Sequence, residues 1–438
     1  MKRDVAVPAR GPVRPAERSL VPDLARGAML LFIALANAPG LAPGGAGTGE
    51  PIAALERVAN VVLVLFVQAR AYPVFGILLG YGMVQLARRQ EAAGASLVQV
   101  RALLWRRSAW LFVFGFVHAT LLYFGDFLGA YGIIGLVATV ALLHRQRVLR
   151  ALLWVWAFSV VELLGLATYV VVAMMRSRGA PAQPPVEVPA STIASSYLAS
   201  IVARLHEWPM HTLTVVPSVF IVGLGMWAAE HRLLEEPSAH RPLFRRAALA
   251  GLTAAVLGAV PLAIVYAGAV HLDAPTIALT SYLHKVSGMF GGVGYVALLA
   301  LAGERLTRRA STKPSRVAYS LSALGTYSLS AYLFQSLAWQ TLLPPYTASL
   351  ASRFGSPLLT ALTLAVVVWL LSVLCATWLR RRSITGPAER LLRRLAYGRV
   401  PARRTDVDRS GDDQRPAART RTLSVRNLPA AEVPTETT

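Results

Sequence analysis

The chain has 438 residues, of which 55% are hydrophobic and only 15% are charged, and its mean hydropathy is +0.50. This composition excludes a set of soluble domains and favours one large membrane-embedded bundle. The net charge of +22 is dispersed over short loops and a tail, which indicates anchoring at a lipid bilayer and argues against a nucleic-acid partner.

Hydrophobic stretches of membrane-spanning length recur along the chain. Most approach the roughly 17–25 residues that a helix needs to cross a hydrocarbon layer of ~30 Å. They lack the alternation of barrel strands, so the predicted fold class is an all-α integral membrane protein with about ten transmembrane helices in one bundle. The predicted spans are residues 20–38, 60–86, 108–124, 127–143, 151–175, 212–229, 247–268, 284–302, 317–343 and 357–379.

Positive charge collects in every second gap between these spans. Of the 44 Lys and Arg residues, 37 lie in the N-terminal segment, in alternate gaps and in the C-terminal tail. When the tail is left out, 23 lie on one side and seven on the other. The positive-inside rule then predicts a multi-pass protein of the cell membrane with both termini in the cytoplasm.

Composition also divides the chain into regions. Residues 1–17 and 400–438 have little to bury and are predicted to be disordered tails. Between them, residues 18–229 are predicted to form an N-terminal membrane region of about six helices, and residues 230–399 a C-terminal region of about four. The external gap 176–211 contains an amphipathic pattern, which predicts a helix lying on the outer surface.

Ionisable side chains at membrane depth are costly, so each is a candidate for function. On the first span, Asp23 and Arg26 are three residues apart, share a helix face and are predicted to form a structural ion pair. Asn37, further out, is either a packing amide or part of a site. On the second span, Arg70 either snorkels to the interface, or it neutralises Asp126 or holds an anionic group.

The sequence GFVHATLLYFGDFLGAYG, residues 115–132, carries the strongest signal for chemistry. His118 lies in the outer half of the third span, and Asp126 lies in the short turn that follows it. A histidine oriented by a carboxylate is a common general base, and Tyr131 is close enough to bind substrate. The alternative is a histidine that only forms a hydrogen bond between helices.

A polar stripe runs along the ninth span. It consists of Ser328, Tyr332, Gln335 and Ser336. Such stripes either bind substrate or join helices by hydrogen bonds. No two histidines have the spacing of a metal motif, so no metal site is predicted.

Several of these strings resemble the YeiB-like family and its C-terminal domain of unknown function 418, in order over residues 18–399. The matching strings are SLVPDLARGAMLLFIALAN, YPVFGILLGYG, GFVH with GDFL, GTYSLSAYLFQS and GPAERLLRRLAYG. The family is grouped with transmembrane acyltransferases, which use an intramembrane histidine and a nearby asparagine. Here His118 matches the family's own histidine, and Asn37 aligns with the asparagine.

The resemblance implies a membrane-bound acyltransferase. It would move an acyl group from cytosolic acyl-CoA, a co-substrate and not a bound cofactor, to a hydroxyl or amine of a lipid, glycan or small molecule outside. His118 would act as the base and Asp126 would orient it, while Asn37 would stabilise the oxyanion. The basic inner loops, with Arg88, Arg89, Arg106 and Arg107, would attract the CoA phosphates. A transporter or exporter, and a non-catalytic membrane protein, remain the alternatives.

Overall fold

Long apolar runs satisfy their backbone hydrogen bonds internally by forming helices, and the computed structural model of the chain is built of helices. It describes residues 19–41, 50–178, 189–310 and 315–398. These residues contain no β-strand. The predicted tails, 1–17 and 400–438, lie outside the described residues. The described residues belong to one unit, which ends at Gly398.

Eight helices make up the described chain as far as residue 230. They are α1 (Leu20–Leu41), α2 (Glu50–Val62), α3 (Ala71–Ala92), α4 (Leu97–Leu121), α5 (Leu128–Ala141), α6 (Gln146–Arg176), α7 (Tyr197–Val215) and α8 (Val219–Glu230). Because a short connection joins α3 to α4, the start of α3 and the end of α4 lie at the same end of the bundle.

Seven more helices follow. They are α9 (Arg241–Tyr266), α10 (Ala274–Ala310), α11 (Arg316–Thr326), α12 (Ser328–Leu342), α13 (Leu350–Arg353), α14 (Pro357–Arg381) and α15 (Pro387–Tyr397). The closest helix pairs are α9 with α10, α4 with α5, α3 with α8, and α1 with α11. Helices α11, α12 and α14 therefore pack around α1, so that the first described helix shares a core with helices of the C-terminal region.

Seven helical segments among the described residues are long and apolar enough to cross a membrane. They are Leu20–Leu41, Ile52–Ala92, Gln146–Arg176, Tyr197–Glu230, Arg241–Tyr266, Ala274–Arg308 and Pro357–Arg381. The membrane-like architecture predicted from the sequence is thus confirmed. Two of these helices, α6 and α14, lie at the edge of the bundle, where Trp154, Met175 and Leu374 are more than half exposed, as lipid-facing residues are.

The other three predicted spans are helical but differ from simple spans. The first half of α4 carries three arginines, Arg101, Arg106 and Arg107, and α5 has only 14 residues, which extend about 21 Å. The span predicted at 317–343 is interrupted at Tyr327, between α11 and α12. The arrangement of ten spans therefore stays a prediction.

Glycines allow two pairs of helices to touch backbone to backbone. A Cβ atom added to Gly80 of α3 would lie 2.0 Å from the Val222 carbonyl oxygen of α8, and one added to Gly225 would lie 2.0 Å from the Ile77 oxygen. At the crossing of α1 and α11, a Cβ on Gly325 would lie 1.7 Å from the backbone carbonyl oxygen of Asp23. Small residues at tight crossings are typical of membrane bundles.

The second predicted span is a broken helix. After α2 the chain forms a π-helix, Leu63–Val67, and then an extended residue, Gln68. Ala69 follows with φ 58°, a left-handed conformation that costs a non-glycine residue about 1–2 kcal/mol. Arg70 begins the next helix. Breaks of this kind inside a membrane are retained where they form sites.

Candidate functional site

His118 is enclosed between a carboxylate and a hydroxyl. Its Nδ1 atom lies 2.9 Å from Oδ1 of Asp126, and its Nε2 atom lies 2.8 Å from Oγ of Ser336. The ring of Tyr332 packs against the imidazole, with 4.7 Å between the centroids. Only 2% of His118 is exposed, so both ring nitrogens face protein groups. The structure therefore brings His118 and Asp126 together, whereas their chemical roles stay a prediction.

Asp126 is held in place by the start of α5. Its Oδ2 atom accepts a hydrogen bond of 2.7 Å from the Gly129 backbone N–H, where helix dipoles favour negative charge. Gly115 makes room for this turn, because a Cβ at that position would lie 2.5 Å from Oδ2. Tyr332 donates a long hydrogen bond of 3.5 Å to Oδ1. A fully buried carboxylate is thereby fixed next to the imidazole.

The α12 side of the site is fixed by a helix cap. Glu389 of α15 accepts hydrogen bonds from the Leu329 N–H at 2.9 Å and the Ser330 N–H at 3.1 Å, and the Ser330 hydroxyl also donates to it. The two backbone N–H groups lie in the first turn of α12, where they have no acceptor within the helix. Side-chain oxygens commonly accept hydrogen bonds from such N–H groups. The GPAE string of α15 thus positions α12, and with it Tyr332 and Ser336.

A small cavity lies beside Ser336. Its volume is about 10 Å³, roughly the space of one water molecule. Its lining residues are Leu41, Leu122, Tyr123, Ser191, Thr192, Arg204, Ser336, Trp339, Gln340, Leu343 and Pro344. An open cleft of about 480 Å³ adjoins it, since Leu122 and Gln340 line both. The remaining cleft residues are Ser195, Ser196, Tyr197, Leu337, Thr341, Tyr346 and Thr347.

A buried arginine of α7 lies where the cavity and the cleft meet. Arg204 is 2% exposed and donates hydrogen bonds to the Thr120 carbonyl at 3.1 Å, to Ser200 at 2.7 Å and to Gln340 at 2.6 Å. It also donates to the Tyr346 hydroxyl at 3.1 Å. Sequence reasoning missed this residue, counting it only among the outer cations. The spacing of Ser200, Arg204 and Trp208 on one face of α7 was the available signal.

Arg70 forms a second polar site and contacts neither His118 nor Asp126. Its Nη2 atom donates to the Ala255 carbonyl at 2.8 Å, and its Nη1 atom has no partner among the described residues. No carboxylate of the described residues pairs with this fully buried guanidinium. Both ring nitrogens of His284 on α10, 4% exposed, are likewise without hydrogen-bond partners in the described part of the chain.

The other predicted site residues are spread around the two polar sites. Tyr131 is buried and donates to the Tyr72 carbonyl. Gln335 is fully buried, and its amide has no hydrogen-bond partner within the described residues. No hydrogen bond joins Asn37 or Ser328 to another described side chain. Asn37 lies one helical turn before Leu41, which lines the cavity.

The ion pair predicted on the first span is present as a contact. Nη1 of Arg26 lies 3.1 Å from Oδ1 of Asp23, and Thr326 of α11 donates to the same carboxylate at 3.2 Å. The pair therefore joins α1 to α11 next to the glycine crossing of these helices. These contacts favour a role in packing.

A basic cluster lies at the opposite end of α3 and α4, where α15 packs. Tyr397 of α15 is partly buried there, and this burial raises the pKa of its phenol. The charges of Arg107, Arg89 and Arg393 act in the opposite direction, favouring the phenolate. Of the arginines predicted to attract CoA phosphates, Arg88 instead caps α8, donating to the Ala229 and Glu230 carbonyls at 2.6 and 2.8 Å.

Comparison with known proteins identifies the C-terminal part of the chain. Residues 228–399 match the family described as "Protein of unknown function (DUF418)". This stretch of the chain is similar to DUF418. It comprises α9 to α15 and so contains Ser336 and Tyr332, whereas His118 and Asp126 come from the helices that precede it.

A second likeness covers more of the chain. The chain is 26% identical to the uncharacterized protein YxaH of Bacillus subtilis (strain 168) over 361 residues, which cover 78% of this chain and 83% of YxaH. The match is longer than DUF418 alone and extends into the preceding helices. Neither description names an activity, so a function has to be argued from the site.

Proposed function

We propose that the protein is a membrane-bound acyltransferase, which moves an acyl group from cytosolic acyl-CoA to a hydroxyl or amine at the outer side of the cell membrane. The observation that carries this proposal is the buried imidazole of His118, fixed by Asp126 beside a cavity and an open cleft. A base in this position takes the proton of the attacking acceptor. The cleft has the volume of a small-molecule site.

The proposal includes the orientation of the chain. Ten crossings with both termini in the cytoplasm are supported by the distribution of 23 cations against seven. In that orientation the His118 site lies in the outer half of the bilayer. The basic cluster around Tyr397 lies at the inner face, where its arginines attract the phosphates of CoA.

His118→Ala tests the role of the imidazole. We expect the variant to lose acyl transfer by on the order of 10²–10⁴-fold, the contribution of a general base, and to insert normally into membranes. The measurement is the release of free CoA from radiolabelled acetyl-CoA, with incorporation of label into extracted membrane lipids and glycans. The matched control is His144→Ala, because His144 also pairs with a carboxylate, Glu91, at 2.9 Å, but is 43% exposed. Equal rates in the two variants would contradict the mechanism.

The broken helix at Arg70 favours a second candidate, an anion carrier. Discontinuous helices with a positively charged N-terminus are the substrate sites of many transporters, and Arg70 begins α3 with an unpaired Nη1 atom. Flux of labelled small carboxylates into proteoliposomes, without consumption of acyl-CoA, would support the carrier and contradict the enzyme.

A further inference from the structure

The contacts of His118 form a serine–histidine–aspartate relay. Oδ1 of Asp126 lies 2.9 Å from Nδ1, outside hydrogen-bond geometry, and its negative charge favours the tautomer with the proton on Nδ1. The Nε2 lone pair is then free to accept the Ser336 hydroxyl proton across 2.8 Å. This is the arrangement that converts a weak hydroxyl nucleophile into a reactive one. A serine that only joins two helices needs neither the buried carboxylate nor an adjoining cavity.

Ser336 also faces a small cavity. It is among the residues that line the small cavity, and Arg204 lines the same cavity. The guanidinium is permanently charged and buried, so it offers positive charge near the place where an oxyanion would develop. The cavity and the open cleft share the lining residues Leu122 and Gln340, so the cleft adjoins the cavity on which Ser336 lies.

We propose that Ser336 is the nucleophile of this site and that it carries the acyl group as a serine ester between donor and acceptor. This inference rests on the proposed acyl transfer and adds a covalent step to it. His118 then serves both half-reactions as base and acid, and Asp126 keeps its ring in the productive tautomer. Because Ser336 lies in α12, the nucleophile comes from the stretch of the chain that is similar to DUF418.

The two half-reactions balance. In the first, Oγ of Ser336 bonds to the acyl carbon while its proton moves to Nε2 of His118; the carbon–sulfur bond of the thioester breaks, and the CoA thiolate takes that proton. In the second, the acceptor hydroxyl or amine bonds to the acyl carbon and gives its proton to His118. The ester bond to Ser336 breaks, and Oγ is protonated again.

The test is covalent labelling of the purified full-length protein. One sample receives a fluorophosphonate probe, which reacts with activated serines, and another receives labelled acetyl-CoA without acceptor. Peptide mass spectrometry then locates the adducts. We expect both adducts on Ser336, no adduct at this position in Ser336→Ala, and labelling slowed by about 10³-fold or more in His118→Ala.

Ser372→Ala is the matched control, because Ser372 is 3% exposed and donates only to the Val368 carbonyl of its own helix. It is expected to label as the wild type does. Absence of any adduct on wild-type Ser336 overturns the inference, whether or not Ser336→Ala folds. If Ser336→Ala transfers acyl groups at the wild-type rate, the inference is also overturned. The remaining mechanism is then direct attack by the acceptor, with His118 as the base. If the phosphonate labels Ser336 but the protein transfers no acyl group, Ser336 is still a nucleophile, and the proposed acyltransferase function is overturned.

Discussion

Two contacts of a single imidazole define the chemistry proposed for this protein. His118 lies 2.9 Å from Asp126 and 2.8 Å from Ser336, and all three side chains are at most 2% exposed. A buried polar group is stable only when its partners are in place. The orientation of the His118 imidazole therefore depends on both Asp126 and Ser336.

Asp126→Asn separates the orientation of His118 from its presence. An amide cannot hold the Nδ1 proton as a carboxylate does, so we expect a loss in acyl transfer on the order of 10⁴-fold in a protein that still folds. Asp273→Asn is the control, because Asp273 also caps a helix, accepting from the Thr276 N–H at 2.9 Å. Release of CoA is the measurement. Similar rates in the two variants would show that Asp126 only caps α5.

Arg70 gives a prediction that is independent of acyl transfer. A buried guanidinium with an unpaired Nη1 atom is destabilising unless an anion neutralises it. Added inorganic phosphate should therefore raise the melting temperature of the wild-type protein. Above the Kd for phosphate, the increase should be proportional to the logarithm of the phosphate concentration. The melting temperature of Arg70→Met should not rise. Identical responses of the two proteins to phosphate would exclude an anion at this position.

At the scale of helices, the fold depends on close crossings that only glycine permits. A side chain at Gly80 has no space to enter, since its Cβ would overlap the Val222 carbonyl. We expect Gly80→Ala to destabilise the protein by about 1–3 kcal/mol, the usual cost of overpacking, as measured by thermal unfolding in detergent. Gly165→Ala is the control, because a Cβ at Gly165 of α6 meets nothing within 4 Å. Equal melting temperatures would contradict the packing assigned to α3 and α8.

Sequence patterns predicted helices better than they predicted interruptions. Hydropathy located the apolar segments because length and composition are local properties. The break before Arg70 and the one at Tyr327 are invisible to hydropathy, since the residues on both sides are equally apolar. The similar strings GYGM, residues 80–83, and GLGM, residues 223–226, lie in helices that cross each other, α3 and α8, so that their shared small residues reflect a shared contact.

Across the whole molecule, the site unites residues that are far apart in sequence. The pairing of His118 with Asp126 was predictable, because the two are separated by eight residues around a helix end. Ser336 belonged to a recognised polar stripe, but nothing local indicates that it meets a histidine 218 residues away. Arg204 was missed for a similar reason: its partners, Thr120 and Gln340, lie in other helices. Tertiary contacts decide such pairings.

The two ends of the bundle have different chemistry, and the proposed reaction uses both. The His118 site and the cleft lie at one end, and the arginines around Tyr397 lie at the other. Arg107 of the basic cluster and His118 both belong to α4 and are separated along its axis by roughly 17 Å, at 1.5 Å per residue. An acyl group that enters beside the basic cluster has to cross the bundle to reach the imidazole.

Transfer across an oriented membrane tests this account most directly. Proteoliposomes with the basic cluster facing inwards would be loaded with labelled acetyl-CoA, and label on externally added acceptors would be measured. The acceptors would be a glycan and an amine that cannot cross the bilayer. The account predicts labelled external acceptor with wild-type protein and with His144→Ala, and none above background with His118→Ala. Equal labelling by His118→Ala, or no labelling by the wild type, would contradict it.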